Sequence, residues 1–181
     1  MLDAGYWILD TRYWMLDSGK SIGPLNAELL SWLEEVKDPE IPVLSLVDMG
    51  VITQAEVDGS VARVEMTPTF VGCPALEIMK QEVEQVITRH GFTPEVTVSF
   101  REPWSSDKMT EKGKAALKKF GLAPPPASAQ VFHDLEILES ATCPRCNGTN
   151  TELKNPFGPT LCRAIYYCHT CHEAFEQFKP V

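Results

Sequence analysis

Thr67-Pro-Thr-Phe-Val-Gly-Cys-Pro-Ala-Leu-Glu77 decides the reading of the first domain. A β-branched run ends there, Gly72 loosens the backbone, and Cys73 stands directly before a helical pattern. Proline suits the first helical position, whose N–H has no intrahelical partner in any case. Cys73 is therefore expected at or beside a helix N-cap. The positive end of the helix dipole favours thiolate there, and with it metal binding or nucleophilic chemistry. The plain alternative is a small residue filling a tight turn.

Upstream, residues 51–57 and 61–66 read as two strands joined at Asp58-Gly59, a turn pair suited to a tight hairpin. Downstream, Leu76, Met79, Val83, Val86 and Ile87 form one stripe of a helix over 74–90, closed by Gly91. Residues 96–100 read as a third strand. Further out, Leu25, Leu29, Leu30, Leu33 and Val36 recur at helical spacing until Asp38-Pro39 stops the helix. Asp38-Pro-Glu-Ile-Pro42 is a stiff loop carrying two carboxylates. A helix over 108–120 presents Lys108, Lys112, Lys114, Lys118 and Lys119, either as a solvated face or as a docking surface for an acidic partner.

Composition limits the function classes. A net charge of −9 argues against a nucleic-acid partner bound through phosphates. No apolar run reaches the roughly 18 residues of a membrane span, and a signal peptide is not evident. Six cysteines without an export signal point to metal rather than disulfides, in a reducing cytoplasm. The start of the chain looks foreign to the rest. Tyr6-Trp-Ile-Leu-Asp-Thr-Arg12 is copied almost unchanged as Tyr13-Trp-Met-Leu-Asp-Ser-Gly19. Two copies make no solenoid, and residues 1–21 are expected to be spurious or disordered, the alternative being a short aromatic docking arm.

Residues 22–121 then form the first domain, 122–141 a Pro/Ala-rich linker around Ala123-Pro-Pro-Pro126, and 142–181 a metal ribbon. In the ribbon, Cys143-Pro-Arg-Cys146 and Cys168-His-Thr-Cys171 are two knuckles, each placing two thiolates on one ion. A unit this small needs a staple to fold. Structural zinc is the reading favoured over an iron or iron–sulfur site and over a redox dithiol. Cys162 is a fifth sulfur, either a buried bystander or an additional thiol near the metal. His169 and His172 are expected on the knuckle surface, and His90 and His133 lack supporting neighbours.

Residues 25–104 resemble the SufT-like iron–sulfur assembly domain through Asp38-Pro-Glu-Ile-Pro42, Met49-Gly-Val-Ile52, Thr67-Pro-Thr69 with Gly72-Cys-Pro74, and Pro103-Trp104. The linker and the ribbon, with Phe157-Gly-Pro-Thr-Leu-Cys162 and Phe175-Glu-Gln-Phe-Lys179, extend the resemblance to the D-subunit family of the phenylacetyl-CoA epoxidases of aerobic phenylacetate degradation. The resemblance implies an α+β fold, with helices on a three-stranded mixed sheet plus a zinc-ribbon-like β unit. It also implies a non-catalytic maturation factor for iron or iron–sulfur centres. Cys73 would be the iron- or cluster-transfer thiol, with Asp38, Glu40, Thr67 and Thr69 shaping its pocket. Implied partners are the oxygenase or reductase subunits of the epoxidase, other iron–sulfur assembly proteins and a second copy in a homodimer. Neither nucleic acid nor membrane is expected. Implied metals are structural zinc and a transient iron or iron–sulfur cargo. The rival readings are a zinc-ribbon scaffold of the oxygenase complex and, more remotely, a thiol-dependent activity at Cys73. A di-iron Glu-x-x-His pair and a dinucleotide fingerprint are both missing from the sequence.

Overall fold

A computed structural model describes residues 25–126 and 141–179. The N-terminal repeat and most of the expected linker lie outside these described residues. The first element is α1 (Ala27–Leu33), capped by Asn26, whose side chain accepts from the Leu29 N–H at 2.9 Å, and burying Leu29 and Leu33. The acidic loop turns out to be the tip of a small hairpin, β1 (Lys37–Asp38) with β2 (Ile41–Ser45). Its tip is tied by Asp38 Oδ1, which accepts from the Glu40 and Ile41 N–H groups at 2.8 Å each.

A short helix, α2 (Leu46–Met49), ends at Gly50 with φ 73°, the left-handed conformation that glycine adopts without strain. The sheet follows. β3 (Ile52–Asp58) pairs antiparallel with β4 (Val61–Met66), and β4 pairs parallel with β5 (Thr93–Val98). The parallel step requires a crossover, which is α3 (Leu76–Arg89). Met79, Val83, Val86 and Ile87 are its buried face, as the spacing implied. The three-stranded mixed sheet with its helices is the α+β arrangement expected.

α4 (Glu111–Phe120) packs against β2 and α2. Asp48 joins them: Thr110 Oγ1 donates to its Oδ1 at 2.8 Å, Ser45 Oγ to its Oδ2 at 2.9 Å, and Lys112 Nζ stands 3.1 Å away. Burial opposes ionisation of this carboxyl, but the Thr110, Lys112 and Ser45 hydrogen bonds outweigh it and hold Asp48 below the usual carboxylate range. Lys112 also pairs with Glu34, and Lys114 with Glu111, so part of the basic face is used within the fold.

Gly113 shows how close that packing is. A Cβ there would stand 2.6 Å from the Asp48 carbonyl oxygen and 3.1 Å from a Leu44 methyl. In an ordinary helix Gly→Ala gains about 1 kcal/mol. Gly113→Ala should instead destabilise by about 1–3 kcal/mol, because the obstructing atom is backbone. Urea denaturation of the variant checks the sign.

The second sheet has four strands in the order β6 (Leu122–Ala123), β9 (Glu173–Phe178), β8 (Arg163–Cys168), β7 (Thr151–Asn155). β7, β8 and β9 form an antiparallel meander, whereas β6 pairs parallel with β9. Leu122 and Ala123, read from the sequence as the first linker residues, are thus a strand of the ribbon sheet. Successive side chains on a strand point to opposite faces. Leu122 accordingly joins the core of the first unit, together with Phe178, and Ala123 joins that of the ribbon. Phe178 packs on Trp104, their ring centroids 5.7 Å apart, and Trp104 Nε1 donates to the Met49 carbonyl at 3.0 Å. No helix among the described residues is long and apolar enough to cross a membrane.

Candidate metal centre and thiol loop

The two knuckles meet at the end of the ribbon. Cys143 opens the first knuckle and Cys146 closes it, Cys168 ends β8 and Cys171 precedes β9. The ligand atoms of these four residues all lie within 4.8 Å of one another. Cys143 Sγ is 3.8 Å from Cys171 Sγ, and Cys146 Sγ is 3.6 Å from Cys168 Sγ. Asn147 and His172, each directly after the second cysteine of its pair, have φ of 59° and 61°. That left-handed residue turns the chain tightly enough for backbone N–H groups to face sulfur. Gly148 N–H donates to Cys146 Sγ at 3.4 Å. The N–H groups of Cys171 and Thr170 hold the Cys168 thiol at about 6, while burial and the neighbouring sulfurs push Cys171 up to about 12. Four sulfurs at this spacing fit one tetrahedral thiolate-bound ion.

His169 and His172 are not part of the cluster. His169 Nε2 is 3.1 Å from a Glu152 oxygen, and His172 Nδ1 is 3.5 Å from the Tyr167 hydroxyl. Cys162 is also outside the four-sulfur group. It lies, half-buried, against the core of the first unit.

The thiol loop differs in detail from the sequence reading. α3 starts at Leu76, and its N-cap is Ala75, without a side-chain cap. A turn precedes it, closed by Leu76 N–H donating to the Cys73 carbonyl at 3.3 Å, so Pro74 lies outside the helix. Cys73 is half-buried against the core and accepts a hydrogen bond from the Ala75 N–H. Burial pushes its thiol up, more than that hydrogen bond lowers it, and Asp38 and Glu40 push it further. The carboxylate hairpin and the thiol loop therefore face one electrostatic environment. Asp38 itself is raised by burial, against its two loop N–H bonds and the charge of Arg163.

Thr67 is buried below the loop. Its N–H donates to the Val51 carbonyl at 2.8 Å, and its hydroxyl lies 3.5 Å from that of Thr53, which makes it a strut of the sheet end. Thr69 is half-buried in the loop, and Phe70 and Val71 beside it are exposed. Sequence reasoning missed Arg163. This residue, only 8% exposed, donates through Nη2 to the Glu40 carbonyl at 2.9 Å and through Nη1 to Glu176 at 3.0 Å. An arginine opening a strand gives no local hint of such a cross-unit contact.

Two family models match different parts of the chain. A family model described as an iron–sulfur cluster assembly protein matches residues 26–100, and one described as the PaaD zinc beta ribbon domain matches residues 127–179. The chain is 35% identical over 155 residues to an Escherichia coli (strain K12) protein provisionally named as the D-subunit of 1,2-phenylacetyl-CoA epoxidase; the match covers 85% of this chain and 92% of the relative. It is 31% identical over 96 residues to the Fe-S protein maturation auxiliary factor YitW of Bacillus subtilis (strain 168), covering 51% of this chain and 93% of that one. It is 34% identical over 88 residues to the Fe-S protein maturation auxiliary factor SufT of Staphylococcus aureus (strain USA300), covering 45% and 96%.

Proposed function

Because the chain belongs to the SufT-like family of iron–sulfur cluster assembly proteins, in the form that carries a PaaD zinc ribbon, we propose that it is an accessory factor that delivers iron or an iron–sulfur unit to a phenylacetyl-CoA epoxidase. The observation that carries this reading is Cys73, a half-buried thiol in the charge field of the Asp38–Glu40 hairpin. Its raised proton affinity makes it a weak resident ligand, ready to give iron up as the thiol re-forms. Asp38 Oδ1 is committed to its own loop, which leaves Oδ2 and the exposed Glu40 as oxygen donors. Thr67 holds the loop to the sheet.

The ribbon's four cysteines would hold zinc, and their role is structural: a closed thiolate set retains its ion. Clients are the oxygenase or reductase subunits, met in a reducing cytoplasm, with a client's own ligands or a second copy of the chain completing the coordination of the cargo. The test is Cys73→Ser in cells that rely on the epoxidase. Client iron content and activity should fall about tenfold or more, with the variant at normal abundance. Normal iron in both clients would sink delivery and leave the scaffold reading.

A further inference from the structure

Arg163 opens β8, and strand alternation puts it on the same face as Ile165. β9 presents Phe178 opposite Arg163 and Glu176 opposite Ile165, and β6 presents Leu122 opposite Glu176. This is the face that carries Phe178 and Leu122 into the core of the first unit. α4 ends beside it. Gly121, with φ 97°, turns the chain from Phe120 into β6. Between these elements lies a cleft of about 320 Å³, lined by Phe120, Leu122, Arg145, Arg163, Ile165 and Glu176. Ligand sites fall at roughly 300–1,000 Å³, so this one suits a small molecule.

The two arginines of the cleft are unevenly satisfied. Arg163 is only 8% exposed; its Nη1 donates to Glu176 at 3.0 Å and its Nη2 to the Glu40 carbonyl at 2.9 Å. Its Nε–H is buried and has no acceptor among the described residues. A buried donor on a charged group is costly to leave unbonded, and an anionic acceptor would relieve that cost. Arg145 has an exposed side chain, and its Nη1 stands 3.8 Å from Glu173, too far for a hydrogen bond.

Charge balance decides what fits. Glu176 offsets part of the Arg163 charge and Glu173 stands near Arg145, so the cleft accommodates one added negative charge rather than two. Lys118 and Lys119, in the last turn of α4, offset the negative end of that helix dipole. A carboxylate carries a single charge on planar oxygens that match a guanidinium edge. Phe120, Leu122 and Ile165 offer walls for an apolar body attached to it.

We infer that the cleft between α4 and the ribbon sheet binds a small monocarboxylate with an apolar body, one oxygen accepting from Arg163 Nε–H and the negative charge facing Arg145. Nη2 of the same arginine holds the Glu40 carbonyl, so an occupied cleft ties α4, the ribbon and the carboxylate hairpin together through one side chain. The site requires no thiol and is separate from iron delivery by Cys73.

The probes are benzoate, its neutral amide benzamide, and inorganic phosphate, titrated calorimetrically into the full chain with its ribbon metal loaded. Benzoate should bind saturably, and benzamide and phosphate at least about tenfold more weakly. Arg163→Lys keeps the charge but lacks Nε–H, and should weaken benzoate by about tenfold or more. Arg145→Gln, on an exposed side chain, should weaken it several-fold. Metal content and thermal unfolding verify that both variants fold. In the unmutated protein, the Arg163 Nε–H signal in a nitrogen–proton NMR spectrum should move downfield as benzoate saturates, which tests the contact even where Arg163→Lys does not fold. Absence of benzoate binding overturns the inference. So does equal or tighter binding of benzamide or phosphate, wild-type affinity in either folded variant, or an Arg163 Nε–H signal that stays in place.

Discussion

Cys168→Ser is expected to leave the ribbon without metal and unfolded, lowering bound metal from one ion per chain to none. Among the described residues, the ribbon's own core is Ala123, Ala141, Cys143, Ala164, Tyr166, Cys168 and Phe175, so two of these seven are cysteines of the cluster. Tyr166 stacked on Phe175 at 5.6 Å is its main apolar contact. Burial on that scale does not offset the conformational entropy of ordering the meander. Metal binding in comparable thiolate sites contributes about 10–16 kcal/mol, enough to decide whether the unit folds. Cys168 is the most telling position because its thiol already titrates near 6, held there by two N–H groups that a serine hydroxyl would use less well. Metal analysis after gel filtration is the measurement. Retained metal in Cys168→Ser, together with lost metal in Cys162→Ser, would show that the ligand set is wrong.

Phe178→Ala should be the most damaging single change outside the metal ligands, costing about 3–5 kcal/mol. Phe178 is 1% exposed and sits on a ribbon strand, yet its ring lies in the core of the first unit on Trp104. Truncating it leaves a void beside Leu122 and unpacks the indole whose N–H is tied to Met49. Both units should feel the loss. Urea unfolding followed by tryptophan fluorescence, and in parallel by a colorimetric metal indicator, should give coincident transitions that move together in the variant. Chelation of the wild type should likewise lower the melting temperature of the first unit. Two separated transitions, with only the metal-release curve shifted, would show that the cores are independent. The sequence suggests such independence, since a proline-rich stretch between two patterned regions looks like a spacer.

What the sequence made legible is local. The hairpin of 51–66 and the α3 stripe follow from short-range periodicity, and the knuckles follow from cysteine spacing. The start of α3 is later than the Pro74 pattern implies, because the chain makes a tight turn through Cys73 before the helical bonds begin. β6 could not be read at all: two residues carry no periodicity, and their pairing with Glu176 and Gln177 spans the whole ribbon. The neighbourhood of the carboxylate hairpin and Cys162 was hidden for the same reason. It depends on one buried arginine reaching across more than a hundred positions, which no window of sequence reveals.

The parallel pairing of Leu122 and Ala123 with the last ribbon strand also governs the order in which the protein can be made. A ribosome delivers α1 through α4 long before Phe178, so during synthesis the first unit must wait with the site of that ring open to water. Its completion depends on a non-local contact that cannot form until the knuckles are assembled. Metal capture then becomes the closing step for both halves, and a nascent chain starved of metal would present Trp104 without the ring that covers it. Metal supply would in this way control when both halves of the chain reach the native state.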